Sequence, residues 1–347
     1  MKIPKRIAQT LMNSLKGGVV PRVGLSYITV GRKAEIDALL HDVDIIADGG
    51  ASFRFIVGKY GSGKSFLLQT IRNYVMAKNF VVVDADLSPE RRLQGTRGQG
   101  LATYKELIRN MSTKTKPEGG ALSLILDRWI SNVQQQVMEQ EGISPTDPGL
   151  QPRVEKKIAA TIYSLNEMVH GFDFARLLTL YYQAYRSGDD ETKAKVLKWF
   201  RGEYPTKTEA RGELGVNIVI TDDDWYEYLK LFAAFLKQAG YAGMLVLIDE
   251  LVNIYKIPNA ITRQYNYEKI LTMYNDAMQG KAQHIGFLLG GTPQCMEDPR
   301  RGVYSYEALR SRLAEGHFSG EHTDLMSPVI RLLPLTNEEM LILIEKL

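Results

Sequence analysis

The chain has 347 residues, of which 44% are hydrophobic and 24% charged, the balance of a folded globular protein and not of a disordered or fibrous one. That length accommodates one large α/β domain with an insertion, or two modest domains. A single cysteine, Cys295, excludes an intrachain disulfide and points to a reducing, cytoplasmic setting. The charged N-terminus lacks the apolar centre of a signal peptide and no apolar run reaches roughly 18 residues, so neither secretion nor a membrane span is expected.

The net charge of +3 is too small to argue for nucleic acid, but its distribution is uneven. Lys2, Lys5, Arg6, Lys16, Arg22, Arg32 and Lys33 face one acid, Glu35, and residues 1–30 read as a basic N-terminal arm. Such an arm either docks on the phosphates of DNA or is simply solvated, and the sequence leaves both readings open.

Residues 52–57 (SFRFIV) predict a short apolar strand running into GKYGSGKS. A helix over 65–78 follows, with Leu67, Leu68, Ile71 and Val75 on one face, and then a strand over 80–83 closed by Asp84. Strand, turn, helix, strand is the unit that builds a parallel α/β sheet, so 31–86 form the first part of the core. The polar, glycine-spaced SPERRLQGTRGQG opens a mostly helical insertion over 87–220, with loops near 142–151 and 187–190.

The core resumes over 221–333. Thr221 and Asp224 have capping-box spacing, Trp225, Leu229, Phe232 and Leu236 form an apolar stripe, and Gly240 supplies a left-handed stop. Residues 244–248 (MLVLI) predict a strand buried on both faces and ending in Asp249 and Glu250. A helix with Tyr267, Ile270, Leu271, Tyr274 and Met278 on one face leads to a strand over 285–289. Residues 334–347 begin an amphipathic helix, read as the start of a truncated helical lid.

Gly58-Lys59-Tyr60-Gly61-Ser62-Gly63-Lys64-Ser65 fits G-x-x-x-x-G-K-[ST] between strand and helix, the context this phosphate-binding motif requires. Its glycines let backbone N–H groups converge on a phosphate beside the positive end of the helix. Gly58, Tyr60, Gly61, Ser62, Gly63, Lys64, Ser65 and Phe66 are therefore the expected ATP-binding residues. Lys64 is expected on the β- and γ-phosphates and the Ser65 hydroxyl on Mg²⁺. Asp249, at the C-terminal end of a buried strand, is placed to hold Mg²⁺ from the other side, and Glu250 to polarise an attacking water. The competing reading is that the pair caps the next helix.

Thr292, after the strand IGFLLGG, reads either as a sensor of the γ-phosphate or as part of a Gly-Gly-Thr-Pro turn. Arg310 and Arg312, in YEALRSRL, read either as arginines presented to a neighbouring subunit's nucleotide or as ordinary surface charges. His41, His170, His284, His317 and His322 show no ligand spacing, so a structural metal is not expected. The tyrosines of LLTLYYQAYRSG are read as packing residues and not as a base-stacking platform.

This order of motifs resembles AAA+ ATPases, especially the origin-recognition-like and STAND branch, which implies an AAA+-like P-loop sheet flanked by helices. YITVGRKAEIDAL looks like that branch's adenine-side motif, so Val30, Gly31 and Arg32 carry over as base-contact positions. VGLSYITVGR, FRFIVGKYGSGKSFLLQTIRNY, DADLSPERRLQGTRGQGLATYKELIRN and KWFRGEYPTKTEAR resemble the BREX-type ATP-binding family of BrxC/BrxD P-loop proteins. That resemblance implies a prokaryotic ATPase of an anti-phage defence system; the Walker-type residues and the basic arm point to Mg²⁺-dependent ATP hydrolysis coupled to its hold on DNA or on a defence partner. Its implied partners are further copies of itself and helicase-like, methyltransferase or TerB-domain proteins. Two other functions fit the same motifs: a nucleotide-gated assembly scaffold with slow hydrolysis, or a DNA-translocating motor subunit.

Overall fold

The computed structural model describes residues 3–21, 24–313 and 324–346; Lys2, Arg22, His317 and His322 lie outside them. In chain order the helices and strands begin with α1 (Lys5–Lys16), α2 (Leu25–Ile28), α3 (Lys33–Ala47), β1 (Ala51–Gly58), α4 (Lys64–Ala77) and β2 (Val81–Asp86). Seven helices come next: α5 (Gln99–Arg109), α6 (Leu122–Glu141), α7 (Leu150–Tyr163), α8 (Gly171–Ser187), α9 (Asp190–Phe200), α10 (Lys207–Leu214) and α11 (Trp225–Gln238). The remainder is β3 (Met244–Asp249), α12 (Val252–Tyr255), α13 (Ala260–Met278), β4 (Ile285–Gly291), α14 (Pro293–Glu297), α15 (Glu307–Leu313), β5 (Val329–Leu332) and α16 (Asn337–Lys346).

The five strands form one parallel sheet in the order β2-β3-β4-β1-β5. β1 pairs with β4 from Ala51↔Ile285 to Val57↔Gly291, and with β5 from Phe55↔Val329 to Gly58↔Leu332. Alternate residues of β1 point to opposite faces, and each face has its own cover. Ser52 and Arg54 meet Asp42 of α3, whose Ile46 also seats against Gly286 of β4. Phe53 meets Tyr274 of α13 edge-on, with ring centroids 5.7 Å apart. Cover on both faces is why β1 reads as an unbroken buried run.

Asp42 and Arg54 form a buried bidentate pair, Nε to Oδ2 at 2.6 Å and Nη2 to Oδ1 at 2.7 Å, with the Ser52 hydroxyl donating to Asp42 Oδ2 at 2.8 Å. Arg54 also donates to the carbonyls of Met326 and Ser327, which fixes the approach to β5. Removing either partner of such a pair costs about 3–5 kcal/mol, because the other charge is left buried and alone.

The chain divides into two compact units: residues 1–78, 85–92 and 245–347, and residues 79–84 with 93–244. In the second unit α11 presents Phe232 and Phe235 to Phe174, and Tyr228 to Trp199, so the apolar stripe of α11 packs on helices that precede it. Residues 221–244 therefore group with the helical unit, whereas the sequence reading assigns them to the core. Asp222, just ahead of α11, accepts the N–H groups of Gly98 and Leu101 and so caps α5.

Local details also differ from expectation. Asp224 accepts from the backbone and hydroxyl of Thr221, which is one half of a capping box, but the N-cap itself is Asp224 and the helix starts at Trp225. On α13 the buried positions include Met273 and Ala277, while Met278 is exposed and Leu271 half-buried, because the buried stripe through Tyr267, Ile270, Tyr274 and Ala277 keeps three- and four-residue spacing and 271 and 278 fall beside it. β5 lacks any sequence signal strong enough to predict it; four residues carry too little periodicity.

Candidate functional site

β1 ends at Gly58 and α4 starts at Lys64, so GKYGSGKS spans the crossing from sheet to helix. Gly61 and Gly63 take φ of 76° and 87°, left-handed values that an L side chain resists. The N-cap of α4, Gly63, has no side chain to satisfy the helix's first N–H groups. Those groups and the positive end of the helix dipole form a cradle that fits a phosphate. The Lys64 ammonium donates to the carbonyls of Gly58 at 3.0 Å and Lys59 at 3.2 Å, and lies 5.7 Å from the centre of the exposed Tyr60 ring.

β3 brings Asp249 to the same place. The Ser65 hydroxyl donates to Asp249 Oδ2 at 2.8 Å, and Asp249 Oδ1 accepts the N–H of Glu250, also at 2.8 Å. A Cβ on Gly290 would fall 2.1 Å from Asp249 Oδ1, so the bare backbone of β4 is what leaves room for this carboxylate. A hydroxyl and a carboxylate side by side are hard oxygen donors suited to Mg²⁺, which is commonly held by one or two carboxylates together with substrate phosphates.

A cleft of about 210 Å³ joins these groups, lined by Tyr60, Lys64, Ser65, Asp249, Glu250 and Thr292 among others. Glu250 has φ of 63°, a left-handed conformation uncommon for a residue with a side chain. Its carboxylate has no hydrogen-bond partner among the described residues. Neither acid caps the following helix: the N-cap of α12 is Leu251, without a side-chain bond.

Thr292 directly follows β4. It lines the cleft, and its hydroxyl accepts the Cys295 N–H at 3.3 Å as the N-cap of α14. Gly290 and Gly291 are the last residues of β4 and not a turn. Burial pushes the Cys295 thiol up, opposed by its hydrogen bonds with Thr292.

A family model described as BREX system ATP-binding protein BrxC/D matches residues 3–347. The chain belongs to this family. A search of curated proteins finds no match. As a BrxC/D-family protein it is an ATP-binding component of a BREX system.

Other expected residues of this BrxC/D-family chain lie apart from the cleft. Gly31 and Arg32 line a separate groove with Ser26, Thr29 and Lys33, and Val30 lines neither. The buried Arg32 guanidinium donates to the carbonyls of Ser62 and Leu333 and pairs with Glu35 at 3.1 Å, so it braces the phosphate loop from behind. Arg310 faces Glu307 at 3.9 Å on α15, and Arg312 donates to Asn275 and to the Ala308 carbonyl. Sequence reasoning passed over Val20 and Val252, which line the cleft, and neither belongs to a motif. No described helix is long and apolar enough to cross a membrane.

Proposed function

We propose that the chain hydrolyses ATP in this cleft and uses its nucleotide state to govern engagement with DNA or with other BREX proteins. The observation that carries the reading is the 2.8 Å contact between Ser65 and Asp249, which gathers a hydroxyl and a carboxylate beside the uncapped start of α4. The N–H groups of the loop and the Lys64 ammonium bind the β- and γ-phosphates and counter their growing negative charge. Ser65 and Asp249 would hold Mg²⁺, which supplies further charge neutralisation when bound. Glu250 orients the attacking water and accepts its proton on a carboxylate oxygen. Thr292 donates its hydroxyl toward the γ-phosphate side of the cleft.

Phosphate release by the parent and by Lys64→Ala, with Mg²⁺ or with EDTA, tests the proposal. Loss of about a hundredfold or more is expected on removing the ammonium, since one transition-state donor is worth that much. Turnover that survives Lys64→Ala removes the assignment.

A second reading, a nucleotide-gated scaffold of several copies, draws on Arg310. Its side chain is 62% exposed on α15 and, among the described residues, contacts Glu307 at 3.9 Å, an arrangement that lets it reach a neighbour's nucleotide. Arg310→Ala should then reduce nucleotide-dependent assembly while leaving ATP binding by single copies intact.

A further inference from the structure

We propose that Asn253 is a positioning residue that holds Glu250 in its left-handed turn and so sets the direction of the Glu250 carboxylate; this rests on the reading of Glu250 as the base. A side chain at φ of 63° is strained, by about 1–2 kcal/mol, and such a conformation persists only where its surroundings over-determine it.

The surroundings are specific. The Glu250 N–H is held by Asp249 Oδ1 at 2.8 Å, and the next N–H, that of Leu251, by the Gly290 carbonyl at 3.0 Å. The Glu250 carbonyl accepts twice from one residue: the Asn253 N–H at 2.9 Å and the Asn253 Nδ2 at 3.3 Å. The same Nδ2 donates to the Leu87 carbonyl at 2.8 Å, and the Leu87 N–H returns to the Asp249 carbonyl at 3.1 Å.

One carboxamide thus ties the residue after β2 to the turn after β3, closing a ring of bonds around Asp249 and Glu250. Only a side chain with two N–H donors on one nitrogen serves both carbonyls. Asparagine has the reach, and an aspartate of the same shape would instead turn negative oxygen toward them. Asn253 touches neither substrate nor reacting atoms in this scheme; it acts through Glu250.

The test compares Asn253→Asp, Asn253→Ala and Asn253→Ser in the parent and in a Glu250→Gln background. Single-turnover phosphate release and the Kd for a non-hydrolysable ATP analogue are measured for each, with the thermal midpoint as a control for folding. A turn displaced by an ångström or so should slow release by about tenfold to a hundredfold while the Kd stays within about twofold. Asn253→Ser, which keeps one donor, should fall between the parent and Asn253→Ala.

In the Glu250→Gln background the Asn253 variants should add nothing further, because the group they position is already disabled. Unchanged release by Asn253→Ala, or an equal further loss in the Glu250→Gln background, overturns the proposal and leaves the reading of Glu250 standing. Full activity of Glu250→Gln itself overturns both. Should Asn253→Ala fail to fold, the same comparison with Asn253→Ser decides.

Discussion

Ser65 and Asp249 are 184 positions apart in the chain and 2.8 Å apart in space. Everything between them, including the whole helical unit, is a detour from one strand end to another. Parallel strands bring their C-terminal ends to one edge of the sheet, so a group following β1 and a group ending β3 share a crevice. The contact therefore follows from topology, and its chemistry from the two residues that stand there.

The backbone of Gly290 keeps that crevice open. Gly290→Ala places a methyl 2.1 Å from Asp249 Oδ1, and the carboxylate has to move. Titrating Mg²⁺ against phosphate release should show the concentration for half-maximal rate rising by about tenfold or more, the loss expected when a metal's surroundings are disturbed. An unaltered Mg²⁺ dependence would separate Asp249 from the metal.

Glu250→Gln preserves shape and removes the basic oxygen. Release of phosphate should drop by about a hundredfold or more, a hundredfold being the lower end of what a positioned base contributes, while ATP binding persists. If the nucleotide-gated scaffold reading holds, light scattering at saturating ATP should report a larger, longer-lived particle. A particle of constant mass in every nucleotide state would argue for a chain that works alone.

Lys5, Arg6 and Lys16 are exposed on α1, whereas Arg32 is buried and spoken for. Binding of α1 to mixed-sequence duplex DNA should be weak, independent of sequence and steeply weakened by salt, because ammonium groups read phosphate and release counterions. Replacing the three exposed residues by glutamate should abolish it. Anisotropy measured at stepped KCl concentrations checks this, and an affinity flat against salt would rule out the electrostatic role.

In the helical unit, burial raises the Tyr104 phenol well above its usual range, with the charges of Tyr228 and Asp224 adding to the effect. Tyr228 is raised in the same direction, again by burial first and then by Asp224 and Asp173. A raised folded pKa means the protonated phenol is the form the fold accommodates. Its contribution is complete below the ordinary tyrosine pKa of about 10 and is lost as pH climbs toward the folded value. Urea midpoints should thus hold steady up to about pH 9.5 and decline beyond it. Tyr228→Phe should soften the decline at little cost near neutrality, since the Tyr228 hydroxyl is buried without a hydrogen-bond partner among the described residues.

Much of the site was legible before folding. GKYGSGKS carries its own instructions: glycines where φ must be positive, a lysine and a serine where a helix begins. MLVLIDE is equally local, an apolar run that only a buried strand accepts, with acids at the end that faces ligands. Leu67, Leu68, Ile71 and Val75 are all buried, as their spacing on α4 requires. These features depend on periodicity and backbone sterics, which act over a few residues.

Other features depend on what a segment meets. Whether α11 belongs with the core or with the helical unit is decided by Phe174, Trp199 and their neighbours, not by the helix itself. Arg32 lies in a motif that suggested base contact, yet the carbonyls of Ser62 and Leu333 claim its guanidinium, and Leu333 is 301 positions away. The role we assign to Asn253 has no motif at all, for it arises from a carbonyl that β2 delivers to the turn after β3. The sequence alone determined which groups are capable of chemistry, because side-chain identity and local backbone preference are written in it. Only the tertiary structure decided which of them meet, because hydrogen bonds and packing act through space and the chain order does not contain those distances.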